Sequence, residues 1–251
     1  MIRTLLACLL FSGTTAYAAK NGLSLERKTP EKRIFSFSKQ QKKHVLDALK
    51  VPMKNRLAIY NKKPRRSYYI LKAIAFDTEQ HMQDRWRALT SLAAVGKARS
   101  AKLLAKAAKS KTWYMRNAAL LSGHFVDNNF ASMMAADLLH DPSLIVRTEA
   151  VRVLKKTNAV QYKDRLKQQL NSPQNFRKNK SLWVRKHIAE ALYQFMDTKD
   201  KQIFVKMLDD QDPQVQKYGV LGMERYYQRR ISDSKKLSAH VEEWKRQIVS
   251  L

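Results

Sequence analysis

"HDPSLIVRTEAVRVL", residues 140–154, decides how the rest of the chain is read. Val146, Ala150 and Leu154 stand at i, i+4 and i+8, so they line one face of a helix. The small residue in the middle lets a neighbouring helix approach closely. Ahead of them, Asp141 is suited to accept a backbone N–H at a helix N-terminus, and Pro142 to occupy the first turn, where its missing N–H costs nothing. A second Asp-Pro step follows downstream, at Asp212-Pro213 in "QDPQVQKYGVLGM".

Aligning the chain on Arg147 brings out five segments: "QDRWRALTSL" from Gln83, "YMRNAALLSG" from Tyr114, "IVRTEAVRVL" from Ile145, "WVRKHIAEAL" from Trp183 and "QVQKYGVLGM" from Gln214. Their third positions are Arg85, Arg116, Arg147, Arg185 and Gln216, spaced by 31, 31, 38 and 31 residues. Three residues on stand Ala88, Ala119, Ala150, Ile188 and Gly219; seven on stand Leu92, Gly123, Leu154, Leu192 and Met223. A second apolar helical stretch follows each of the first four: "SAKLLAKAA", "FASMMAADLLH", "QYKDRLKQQL" and "DKQIFVKMLDD". Each unit reads as a helix, a short turn and a second helix. One such pair cannot bury its apolar face alone, so the pairs must stack.

These segments resemble HEAT repeats of the short, roughly 31-residue kind found in bacterial HEAT-like proteins. The resemblance spans about residues 79–230. It implies an all-α fold, an α-α superhelix (a HEAT/armadillo-like solenoid) of about five helix pairs. It also implies that Asp141 and Arg147, with Arg85, Arg116 and Arg185, help bind one repeat to the next. Gln216 departs from that pattern, as suits an atypical end repeat.

Around the repeats, residues 1–18 read as a secretory signal peptide: Arg3, an apolar run from Leu5 to Phe11, then small residues ending in Ala16-Tyr17-Ala18, with cleavage near Ala18. The run is too short to span a bilayer, and Cys8 stands too near the start for an ordinary lipoprotein box. The expected location is therefore periplasmic or secreted. Since Cys8 is the one cysteine, the mature chain has no disulfide and no cysteine for zinc or nucleophilic attack. Residues 19–37 show no helical period and read as an extended or disordered basic arm. Residues 38–78 form an N-terminal helical cap: Ser38 with Gln41 resembles a capping box, a short helix runs from Met53 to Tyr60, and another starts at Pro64, with Tyr69, Ala73 and Phe76, or Ile70 and Ile74, facing inward. The repeat region occupies 79–251. At its end Leu237, Val241, Trp244 and Ile248 give a one-sided amphipathic helix that covers the last repeat.

No sequence signature of an enzyme stands out. The Ser-x-x-Lys matches at Ser36 and Ser232 lack the companion motifs of penicillin-binding proteins. The six histidines do not pair at helical spacing, so no metal site and no cofactor is expected. Alkylpurine DNA glycosylases, which are also basic HEAT-like solenoids, use tryptophans and an acid in a groove. Trp113 and Trp183 could serve, but no Asp or Glu stands between Arg85 and Val126, and Asn117 occupies the place of the acid. Packing between repeats is the expected role of both tryptophans.

Charge is the stronger clue. Lys and Arg number 49 against 21 Asp and Glu, net +28, where about 2 to 8 serves solubility in a small domain. The clusters are Lys62, Lys63, Arg65 and Arg66 in "NKKPRRSYY"; Lys102, Lys106 and Lys109 along one helical ridge; and Arg177, Lys178 and Lys180 in the seven-residue insertion. Such a surface attracts a protein with an acidic face, an anionic envelope polymer, nucleic acid or an anionic membrane. The expected function is a non-enzymatic exported binding scaffold, with sequence-independent nucleic-acid binding as the alternative.

Overall fold

A computed structural model describes residues 36–230 and 236–249. The expected signal peptide at 1–18, nearly all of the expected 19–37 arm and the match at 232–235 lie outside the described residues. Phe37–Leu251 forms one compact unit.

That unit is built of helices. It starts with α1 (Lys39–Ala48), α2 (Met53–Tyr60) and α3 (Pro64–Phe76). The Ser38 capping box is present: the Ser38 Oγ accepts from Gln41 N at 3.2 Å, and Ser38 N donates to Gln41 Oε1 at 3.0 Å. Pro64 opens α3, and Ile70, Leu71 and Ile74 are its buried stripe. Of the two stripes allowed by the sequence, the one through Ile70 and Ile74 faces the core.

The five aligned segments form α4 (Met82–Gly96), α6 (Trp113–Ser122), α8 (Leu144–Lys156), α10 (Val184–Gln194) and α12 (Pro213–Tyr227). These pack in succession, α4 on α6, α6 on α8, α8 on α10 and α10 on α12, as one row. Ala88, Ala119, Ala150 and Ile188 are buried within it, as are Leu92, Leu154, Leu192 and Met223. The intervening helices are α5 (Ala101–Ala108), α7 (Asn128–Asp137), α9 (Lys163–Leu170) and α11 (Lys201–Leu208). Each packs chiefly on the row helix that follows it: α5 on α6, α7 on α8, α9 on α10, α11 on α12. The packing pairs are therefore offset by one helix from the units read in the sequence, and α3 pairs with α4 in the same way. The small residue acts at this contact. A Cβ on Gly219 would stand 2.9 Å from the backbone nitrogen of Leu208, so α12 and α11 touch backbone to backbone there. At the end, α13 (Leu237–Val249) lies on α11 and α12, with Val241 and Trp244 buried and Trp244 stacked on Tyr227.

Two features depart from the sequence reading. First, the two Asp-Pro steps are not equivalent. Asp212 caps α12, accepting from Gln214 N at 2.9 Å, with Pro213 at the first helical position. Asp141 does not cap α8; Ser143 is the N-cap and Pro142 precedes it. The reason is register: Asp141 stands six residues before its aligned arginine, Asp212 only four before Gln216. Second, the insertion is not plain loop. Phe176–Arg177 (β1) pairs antiparallel with Lys180–Ser181 (β2), and Lys178 and Asn179 make the turn at φ 50° and 61°. That is the left-handed geometry of a two-residue hairpin turn, which asparagine tolerates well.

Candidate anion-binding surface

The aligned arginines are spent inside. Each reaches back to the end of the preceding helix or the loop after it, and forward towards the next row helix. Arg116 donates through Nη1 to Ser110 O (2.8 Å) and Lys111 O (3.1 Å). Its Nε and Nη2 grip the Asp141 carboxylate at 2.5 and 2.7 Å. Arg147 donates to Asp141 O (2.7 Å) and Pro142 O (3.1 Å), and forward to Asn175 Oδ1 (2.9 Å) and Gln174 O (2.7 Å). Arg185 donates to Leu170 O at 2.8 Å, forks onto the Asp210 carboxylate and lies over the Phe176 ring. Arg85 bonds Ala75 O (3.3 Å) and the Tyr114 hydroxyl (2.8 Å). Gln216 makes only the backward bond, to Leu208 O at 3.4 Å. A planar fork with five donors suits this two-sided task. The Asp141 carboxylate raises the Arg116 pKa, and burial lowers that of Arg147, which donates to neutral oxygens. Asp210 and Asn175 were missed in the sequence. Asp210 had a signal: it stands six residues before Gln216, as Asp141 stands before Arg147.

Beyond the ladder, the acids of the second half of the chain are largely taken. Lys163 meets Asp197 at 2.6 Å and Asp200 at 2.7 Å; Lys167 meets Asp200 at 2.7 Å. Lys155 meets Glu190 at 2.7 Å and Lys245 meets Asp209 at 3.0 Å. Burial would raise the Asp200 carboxyl, but its bonds from Lys163 and Lys167 outweigh that and hold it below the usual range. Burial pushes the Glu149 carboxyl up, and it lowers His187 and His124, helped by Arg152 and Lys156 respectively. Among the described residues no His, Cys, Asp or Glu cluster could hold a metal ion, and no helix is long and apolar enough to cross a membrane.

The predicted cations stand in separate places. Lys102, Lys106 and Lys109 are exposed on α5 and its C-cap, opposite the buried Leu104 and Ala107. Lys106 lies over Phe76, the last residue of α3. Lys62, Lys63, Arg65 and Arg66 are exposed around the first turn of α3, about 15 Å away along that helix. Arg177, Lys178 and Lys180 are exposed on the hairpin ahead of α10. Three of the first-turn group share a groove. Lys62, Lys63 and Arg66 line an open depression of about 500 Å³, floored by Val45, Ile59 and Ile70.

Both tryptophans are more exposed than inter-repeat packing predicts, Trp113 at 40% and Trp183 at 60%. Trp183 Nε1 donates to Thr148 Oγ1 at 2.8 Å, which pins the indole edge to α8 and leaves much of the ring open. Asn117 is buried and accepts from Trp86 Nε1 at 3.2 Å, so its amide joins α6 to α4.

No protein-family profile matches the sequence, and no curated protein shows significant similarity to it.

Proposed function

We propose that the chain is an exported, non-enzymatic binding scaffold, a short solenoid of the HEAT type whose cationic exterior engages a protein with an acidic face or an anionic polymer of the cell envelope. One observation carries this reading: the acids of the second half are largely taken in ion pairs, while Lys62, Lys63 and Arg66 line a groove with no carboxylate and Lys102, Lys106 and Lys109 stand exposed on α5 and its C-cap. From Arg85 to Val126 nine Lys or Arg stand without a single Asp or Glu. A helical stack offers a long surface and asks for no catalytic pocket. Export rests on the pattern of residues 1–18. The test is affinity capture from the envelope fraction with the mature chain as bait. The expected result is retention of one partner at low salt and its release as ionic strength rises; capture of nothing, or of a partner indifferent to salt, overturns the reading.

A second reading is sequence-independent nucleic-acid binding. The exposed indoles of Trp113 and Trp183, the latter pinned through Thr148, favour it, since open aromatic faces on a basic protein are suited to base stacking. It predicts a steep fall of affinity between two salt concentrations in a mobility-shift titration, and weaker binding in Trp183→Ala.

A further inference from the structure

We infer that the depression beside the first turn of α3 is a discrete binding site for a phosphomonoester carrying a short apolar group. This rests on reading the chain as a binder of anions and narrows it to one place and one ligand chemistry.

The contrast with the other grooves is what singles it out. The groove between α9 and α11 has Lys167, Lys199 and Lys206, but Asp200 and Asp210 line it too. The one beside the hairpin sets Lys180 and Arg185 against Asp209, Asp210 and Asp212. The one against α13 holds Glu224 beside Lys217 and Arg230. The α3 groove has Lys62, Lys63 and Arg66 and no carboxylate in its lining. The nearest acids on α1 and at the end of α3 are paired: Asp47 with Lys50 and Asp77 with Lys42, each at 3.1 Å. Three like charges around one concavity repel each other, and an anion relieves that repulsion.

The floor supplies the rest. The Tyr60 hydroxyl donates to Val45 O at 3.1 Å, and the Ser67 hydroxyl donates to Tyr60 O at 3.0 Å. Their hydroxyls are thus engaged within the protein, and the apolar lining is half-buried Ile59 with the buried Val45 and Ile70. A doubly charged phosphate suits a guanidinium fork flanked by two ammonium groups. The volume is that of a small-molecule site. A phosphate at the rim with an alkyl group on the floor uses both halves. A soluble organic phosphate and the headgroup of a phosphatidate lipid share this chemistry.

The full chain is titrated calorimetrically with hexyl phosphate, with inorganic phosphate, and with phosphatidylcholine vesicles containing phosphatidate. Hexyl phosphate should bind at least about tenfold more tightly than inorganic phosphate, the worth of two buried methylenes. Binding to the vesicles as well assigns the site to a lipid; binding of hexyl phosphate alone assigns it to a soluble ester. Two triple variants remove equal charge from exposed positions, so both should fold: Lys62→Gln/Lys63→Gln/Arg66→Gln and Lys102→Gln/Lys106→Gln/Lys109→Gln. The first should weaken hexyl phosphate by about tenfold or more and the second by less than about twofold, since only the first removes direct phosphate contacts. Equal losses in the two variants, or equal affinity for the two phosphates, overturn the site. In that event, envelope capture that persists in both variants leaves the scaffold reading standing.

Discussion

Asp141→Ala should be among the most damaging single substitutions in this chain. The side chain is 2% exposed and that of Arg116, its partner, 11%. The change removes two charge-assisted bonds to Arg116, at 2.5 and 2.7 Å, and the bond from Ser143 N at 2.8 Å. Arg116 keeps its two backbone carbonyls but is left with a largely buried, uncompensated charge. Breaking such a pair from one side costs about 3–5 kcal/mol. In a folded unit of this size that lowers the melting temperature by roughly 6–20 °C. The control is Asp127→Ala. Asp127 is an exposed N-cap accepting from Phe130 N at 2.7 Å, worth about 1 kcal/mol. Urea denaturation of the full chain followed by circular dichroism compares the two. Adding Arg116→Met to Asp141→Ala should restore part of the loss, because the stranded charge goes as well. If Asp141→Ala costs no more than Asp127→Ala, or if Arg116→Met makes it worse by its full separate cost, the ladder does not couple the units.

Further outcomes follow from the titrating groups and the close contacts. Asp200 has a folded pKa below its unfolded one, so its contribution is complete above the ordinary aspartate range and is lost as pH falls through the folded value. Asp200→Asn should therefore flatten the acid limb of a stability-against-pH curve, and an unchanged limb refutes this. Glu149 has the opposite sign. Its raised pKa means that stability present below the ordinary glutamate range is lost as pH rises through the folded value. Glu149→Gln should thus gain on the native chain between pH 4 and pH 7, as melting temperatures at the two ends would show; a constant difference counts against it. In Gly222→Ala the new Cβ would stand 2.2 Å from Phe204 Cδ1, an overpacking cost of about 1–3 kcal/mol. Phe204→Leu in the same chain should recover part of it, and additive losses would place the strain elsewhere.

The helices could be read from the sequence because their signals are local. Val146, Ala150 and Leu154 needed only a period, and Ser38 with Gln41 only a three-residue spacing. The pairing frame was not readable, because "SAKLLAKAA" is equally close in sequence to the helices on either side; only packing shows that α5 lies on α6. The two Asp-Pro steps misled for a related reason. A motif two residues long looks the same at either register, yet one position caps its own helix and the other faces a guanidinium from the preceding unit. Charge clusters were visible as clusters, but which cations remain unpaired depends on where Asp47, Asp77 and Asp200 reach in space. The hairpin at 176–181 had no turn signal stronger than Asn179, and its left-handed Lys178 gave none.

The ladder also explains why arginine and lysine divide their work here. A lysine offers one compact charge and cannot hold two loops in a fixed geometry; the fork of Arg116, Arg147 or Arg185 does so with separate nitrogens. The exposed clusters are accordingly richer in lysine than the ladder, which has none. Within the ladder Arg147 is the buried cation whose hydrogen bonds go to neutral oxygens. Its charge is balanced at one remove. Asp141 gives its carboxylate to Arg116 and its backbone carbonyl to Arg147, and its negative charge still favours the Arg147 cation. One acid therefore serves α6 and α8 together, while Arg147 carries the connection on to Asn175 ahead of α10. Removing the Asp141 carboxylate should weaken both joints at once, and an Arg147→Met chain should lose less from Asp141→Ala than the native chain does.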